Sequence, residues 1–201
     1  MTENEHIHKV LAVIVRATEA SQAKWIVGGS AGLMLRGLPL AAEPRDLDIY
    51  CDEEEVQAIY QALQDYACDE PTISTTSMYR STLCHFRIHD MQVELVGGFQ
   101  VTALGCQYVT EVKSLLIPYS ESINIKGTNL SAYVVPLAHE LWFNQLRERD
   151  DRVQLITQAI SSEASLHEEA LQAIEFRNGF TEEAKEGIHR KITKSEAGGF
   201  K

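Results

Sequence analysis

The sequence predicts an α+β fold: a mixed or antiparallel twisted sheet flanked by helices, with a helical section at its C-terminal end. Three observations predict it. Near the start, a helical period gives way to a short apolar run that two glycines break, and a second helix follows. Between about residues 83 and 135 the chain reads as short extended runs divided by turns. From Pro136 onward the regular pattern is the three-and-four spacing of helices.

Each element has its own signal. Ile7, Val10, Leu11, Ile14 and Val15 give residues 6–22 a helical period. Residues 24–27 form a short buried strand that Gly28-Gly29 ends, and Ser30 is placed to cap the next helix. That helix carries Leu33, Met34 and Leu35 and stops at Gly37; a loop with Pro39 and Pro44 follows. Residues 46–51 alternate as a half-buried strand does. Glu53, Glu54 and Glu55 put negative charge on the first turn of a helix that reaches about Tyr66, where the dipole favours it. Residues 83–88 and 91–96 are two strands joined at His89-Asp90, a tight hairpin. Further strands are expected within 109–117, 122–126 and 132–135. Pro136 opens a helix with Leu137, Leu141, Trp142 and Leu146, and helical patterns continue to about Thr193. The division expected is a head of residues 1–135 and a helical section of 136–201 packed on it, frayed from about residue 195.

Composition limits the functions. A 44% hydrophobic and 23% charged chain is ordinary for a globular protein. Its longest apolar runs fall far short of the roughly 20 residues that span a membrane, and its acidic start lacks a secretory signal. A cytoplasmic protein with no membrane partner is expected. Cysteines 51, 68, 84 and 106 contain no C-x-x-C pair, which argues for free, mostly buried thiols. A net charge of −11 argues against broad nucleic-acid binding and suits a small or cationic substrate, or a protein partner. A homodimer is an open option. His6, His8, His85 and His89 read as surface histidines, and Trp142-Phe143 as packing.

Three features carry chemistry. Gly28-Gly29-Ser30 sits between strand and helix, where glycine lets backbone approach a ligand and free amides favour phosphate. Asp46-Leu47-Asp48-Ile49 puts two carboxylates on one face of a strand. Their repulsion is relieved by a divalent cation such as Mg²⁺, which takes one or two carboxylates and completes its shell with phosphate and water. Glu94, with Met91, Val93 and Leu95 on the other face of its strand, becomes a third carboxylate if that strand lies beside the first. Arg36 and Arg45 are the cations nearest in sequence.

In this order the features resemble the nucleotidyltransferase superfamily, the fold class of the polymerase-beta catalytic core. The resemblance rests on Val27-Gly28-Gly29-Ser30, the helix ending Leu35-Arg36-Gly37, and Arg45-Asp46-Leu47-Asp48-Ile49. It covers about residues 24–155, including Val135-Pro136-Leu137 and Arg149-Asp150-Asp151. The layout is similar to small antibiotic-modifying and toxin-type bacterial nucleotidyltransferases. Three departures stand out: the family's third carboxylate is usually aspartate, the helix after the turn carries Gly32, a weak helix former, and no lysine lies close to the D-x-D.

The resemblance implies transfer of a nucleoside monophosphate from a nucleoside triphosphate to a hydroxyl of a small molecule, a protein or an RNA end. It implies two magnesium ions about 3.5–4 Å apart, held by Asp46, Asp48 and Glu94. Gly28, Gly29, Ser30, Arg36 and Arg45 would bind the nucleotide. Two alternatives stay open: a binding or regulatory module that keeps the fold without transfer, and a serine hydrolase. The second rests on G-x-S-x-G around Ser30, with Asp90 and His139 as nominal partners, but only 29 residues precede Ser30.

Overall fold

The stripe of Ile7, Val10, Leu11 and Ile14 folds as helix α1 (Glu3–Thr18) and is buried along its whole length. The helix stops earlier than the periodicity suggests. Thr18 turns its hydroxyl back onto the Ile14 carbonyl (2.8 Å) and accepts the indole N–H of Trp25 (2.9 Å), which pulls the chain into a turn. The structure, a computed structural model, describes residues 3–198. Among them no helix is long and apolar enough to cross a membrane.

The fold is α+β, with an eight-stranded mixed sheet and helices, as the sequence predicts. The strands are β1 (Trp25–Gly28), β2 (Asp46–Cys51), β3 (Thr72–Thr75), β4 (Tyr79–Ile88), β5 (Met91–Ala103), β6 (Cys106–Val109), β7 (Glu121–Asn124) and β8 (Ser131–Val134). They run in the order β3-β4-β5-β2-β1-β8-β7, with β6 paired to β5. Helix α2 (Gly29–Leu35) follows β1, and α3 (Val56–Ala62) follows β2.

The chain divides into two compact units, one of residues 1–99 with 110–135, the other of 100–109 with 136–201. In the first, α1 and α3 share one core with Leu47, Ile49, Cys51, Met91, Val93, Leu95, Cys84, Phe86 and Ile88 of the sheet. Each such aliphatic side chain contributes about 1.5–3 kcal/mol when fully buried. All of the core strand residues alternate with the residues of the other face, which is left for function.

The second unit contains the β5–β6 hairpin, α4 (Leu137–Leu146), α5 (Asp150–Ser162), α6 (Ala164–Arg177) and α7 (Glu182–Gly198). Its centre is aromatic. Trp142 stacks on Phe180 with centroids 3.8 Å apart, and the Tyr108 hydroxyl lies 2.6 Å from Nδ1 of the fully buried His139. Trp142 is therefore a packing residue.

Several sequence expectations are corrected. Residues 112–119 are not strand: a π-helical turn (Val112–Leu116) and a 3-10 turn (Ile117–Tyr119) replace it. The cause is Asp52, whose carboxylate accepts the amides of Val112 (2.7 Å) and Lys113 (2.9 Å) and starts the turn. Strand β3 has no counterpart in the sequence reading, because its exposed Thr72–Thr75 segment lacks an apolar period. His8 is buried at 4% exposure, where its Nδ1 faces the Lys126 amide. The regular structure of α7 continues to Gly198, while residues 199–201 of the expected frayed tail lie outside the described residues. The hairpin at His89-Asp90 forms as expected, with φ of 48° and 65°, the two positive values of a type I′ turn.

Candidate active site

Alternation along β2 decides where its side chains go. Leu47, Ile49 and Cys51 enter the core, so Asp46, Asp48 and Tyr50 share the opposite face. The registers carry that face sideways. Gly28 of β1 pairs with Asp48, and in the parallel β2–β5 ladder Asp48 pairs with Glu94 and Asp46 with Gln92. Gly28, Asp48 and Glu94 thus form one row across three adjacent strands. Asp46, Asp48 and Glu94 are all half-buried.

The glycine turn closes directly onto that row. Gly28 is extended, and Gly29 turns left-handed at φ 61°. A Cβ on Gly29 would stand 2.0 Å from Oδ2 of Asp48, and one on Gly28 would stand 2.1 Å from the Tyr50 ring. Neither place takes a Cβ unless the Asp48 carboxylate or the Tyr50 ring shifts aside. Gly32 serves the same closeness on the far side of α2, where a Cβ would meet Val134 at 3.3 Å and the Val27 carbonyl at 3.4 Å. Ser30 is not the helix cap: Gly28 occupies that position, and Ser30 lies half-buried inside α2. With Gly28 as the cap, the helix starts at the left-handed Gly29, two residues sooner than a cap at Ser30 would allow.

The two arginines differ. Arg36 is only 8% exposed in its side chain. Its Nε donates to the Val135 carbonyl (3.1 Å), Nη2 donates to the same carbonyl (2.8 Å), and Nη1 pairs with Glu121. Arg45 is exposed immediately before β2.

His85, expected to be an ordinary surface histidine, lies on the same face, and Asp69 is bonded to it. Nε2 of His85 on β4 is 3.8 Å from Oε1 of Glu94. Asp69 holds His85 twice, Oδ1 accepting its amide and Oδ2 meeting Nδ1, each at 2.6 Å. Glu94 Oε1 also accepts a hydrogen bond from the side-chain Nε2 of Gln92 at 2.8 Å. Alternation along β4 would have put His85 on this face, but Asp69 lies 16 residues away with no pattern linking the two. Tyr50, the third residue of the Asp46–Asp48 face, was likewise legible only once the turn was seen against it.

The donor set is hard oxygen, which suits magnesium. Among the described residues no three acidic, histidine or cysteine side chains are grouped to hold an ion by themselves. Magnesium ordinarily takes one or two carboxylates and draws its remaining ligands from phosphate and water. The carboxylates of this row could supply the one or two protein ligands of an ion completed by a triphosphate and water.

The sequence profile of the aminoglycoside-2''-adenylyltransferase family matches residues 9–114, more than half of the chain. The chain belongs to that family. The matched stretch holds the glycine turn, both aspartates and Glu94, so this adenylyltransferase-family chain is a nucleotidyltransferase by descent. Solved structures agree on the fold. A Thermotoga maritima protein assigned as a nucleotidyltransferase superposes with a TM-score of 0.61 at 21% identity, over 81% of this chain and 97% of its own. The enzyme ANT(2'')-Ia, solved with adenylyl-2''-tobramycin, gives 0.50 at 12% identity, over 86% and 98%. A comparison of the family member with curated protein sequences gives no match.

Proposed function

We propose that the chain transfers adenylate from ATP to a hydroxyl of a small, cationic acceptor of the aminoglycoside type. The observation that carries this reading is the closeness of Gly29 to the Asp48 carboxylate, which sets a glycine turn against a strand of carboxylates. The family and a chain charge of −11 favour an adenylyl donor and a cationic acceptor.

In this reading Gly28, Gly29 and Ser30 receive the triphosphate, whose oxygens accept from backbone amides. Asp46, Asp48 and Glu94 would hold magnesium, which would neutralise the phosphates and the entering and leaving oxygens. Arg45 adds positive charge at the start of β2, and Arg36 keeps α2 fastened so that the turn stays in place. The acceptor oxygen bonds to the α-phosphorus, the bond to the β-phosphate oxygen breaks, and pyrophosphate leaves.

The test is pyrophosphate release from ATP, CTP, GTP and UTP, with and without magnesium, in the presence of tobramycin or lincomycin. Magnesium-dependent release from ATP with an adenylylated product supports the proposal. Absence of release from every triphosphate, with Asp48→Asn indistinguishable from the wild type, overturns it.

A further inference from the structure

The row of Gly28, Asp48 and Glu94 continues one strand further, onto the Asp69–His85 pair. Both side chains are accessible, His85 at 29% and Asp69 at 47%. The pair is also stiff. Asp69 grips the ring and the amide of the same residue, and the Cys68 amide donates to the His85 carbonyl at 2.8 Å. Of these ties, the one between Oδ2 and Nδ1 fixes the direction of the ring, and the two backbone bonds hold the strand and the Asp69 carboxylate against it.

That direction has a chemical meaning. A carboxylate facing Nδ1 requires the ring proton there, so in the neutral ring the lone pair sits on Nε2. Partial burial works to raise the Asp69 carboxyl, but hydrogen bonds from the His85 ring and amide outweigh it and hold it below the usual carboxylate value. Asp69 is thus an ionised acceptor, the partner this tautomer needs. Nε2 lies 3.8 Å from Oε1 of Glu94, beyond hydrogen-bond range.

We propose that His85, oriented by Asp69, is the base that receives the acceptor's hydroxyl proton. This rests on the transfer reading above and divides labour that one carboxylate would otherwise carry. Glu94 remains an anionic ligand, whereas His85 accepts the hydrogen bond of the acceptor hydroxyl. As the O–P bond forms and pyrophosphate departs, the proton moves to Nε2, and the imidazolium is held between Asp69 and Glu94. His85 is the catalytic residue and Asp69 the positioning residue, the same arrangement as base and orienter in hydrolytic triads.

The experiment reads two signals. Histidine ¹⁵N spectra report which ring nitrogen is protonated in the protein without ligand. Pyrophosphate release from ATP is then followed with tobramycin and with water as acceptors, alongside ATP affinity by calorimetry. The expected result is an Nδ1–H tautomer at His85 that switches to Nε2–H in Asp69→Asn. His85→Gln should keep the ATP affinity while turnover falls by about 100-fold or more, and added imidazole should restore part of the turnover of His85→Ala. An Nε2–H tautomer in the wild type, or undiminished turnover in His85→Gln, overturns this inference and leaves the transfer reading intact. A wild-type protein inert toward both acceptors overturns the transfer reading, and the role of His85 falls with it.

Discussion

Asp48 reaches from β2 to the backbone of Gly29, so closely that any Cβ on Gly29 would stand 2.0 Å from Oδ2. A side chain at Gly29 and the Asp48 carboxylate therefore compete for the same space. Gly29→Ala must strain a left-handed residue, at about 1–2 kcal/mol, and displace the carboxylate as well. The expected outcome is a folded variant with a lowered melting temperature and no measurable ATP affinity. Unchanged affinity by calorimetry would reject the turn as the phosphate site.

The three carboxylates should separate by experiment. ATP with magnesium at 100 times its dissociation constant stabilises a native-only binder by about 2.7 kcal/mol, which for this size is roughly 5–10 °C in melting temperature. The double variant Asp46→Asn with Asp48→Asn should lose that shift while its unliganded form melts no lower than the wild type, since a repulsive pair is gone. Glu94→Gln should keep most of the shift and lose transfer, because it removes an anionic ligand of the site without removing the aspartate pair. A full ATP shift in the double variant would remove Asp46 and Asp48 from the site.

Arg36 makes a different prediction. Its guanidinium satisfies the Val135 carbonyl and pairs with Glu121 while almost hidden from water. Arg36→Met should leave that carbonyl short of a donor and destabilise the protein by about 1–3 kcal/mol. Lysine should rescue little, because it cannot reproduce the fork. Urea unfolding reads the loss, and a variant as stable as the wild type would contradict it.

Acid should weaken the second unit through His139. Burial lowers its pKa from 6.5 to about 3, so the folded state refuses a proton that the unfolded chain accepts. Stability is then lost as the pH falls below the unfolded value, with the loss growing down to the folded one. At pH 5 the effect is of the order of 2 kcal/mol. His139→Gln should flatten the decline between pH 6.5 and 4 in urea titrations. An identical acid limb in that variant would assign the decline to other groups.

The sequence revealed the fold where local rules act alone. Asp46–Cys51 alternates and is a strand, Gly37 ends α2 at φ 81°, and His89-Asp90 turns β4 into β5. It misled where a distant group decides. The segment from Val112 is apolar enough for a strand, yet an aspartate 60 residues earlier captures its amides. The site followed the same division. Spacing was enough to put Asp46 and Asp48 on one face, and Glu94 needed only the guess that β2 and β5 are neighbours. Asp69 could not be found, because its relation to His85 exists only once β4 lies beside the chain that precedes β3.

Strand β5 belongs to two bodies at once: Met91–Phe99 counts with the sheet that holds Glu94, while its last turnward residues, with β6, count with the helices. Val101, Cys106 and Tyr108 are buried there, and Gln107 exchanges backbone hydrogen bonds with Gly179. A gene fragment ending at Val135 would therefore express that ribbon stripped of its cover, with apolar side chains and unpaired amides open to other chains. Anyone shortening this protein for crystallography or directed evolution should excise the ribbon too, bridging Phe99 to Thr110, whose amide already donates to the Phe99 carbonyl at 2.8 Å.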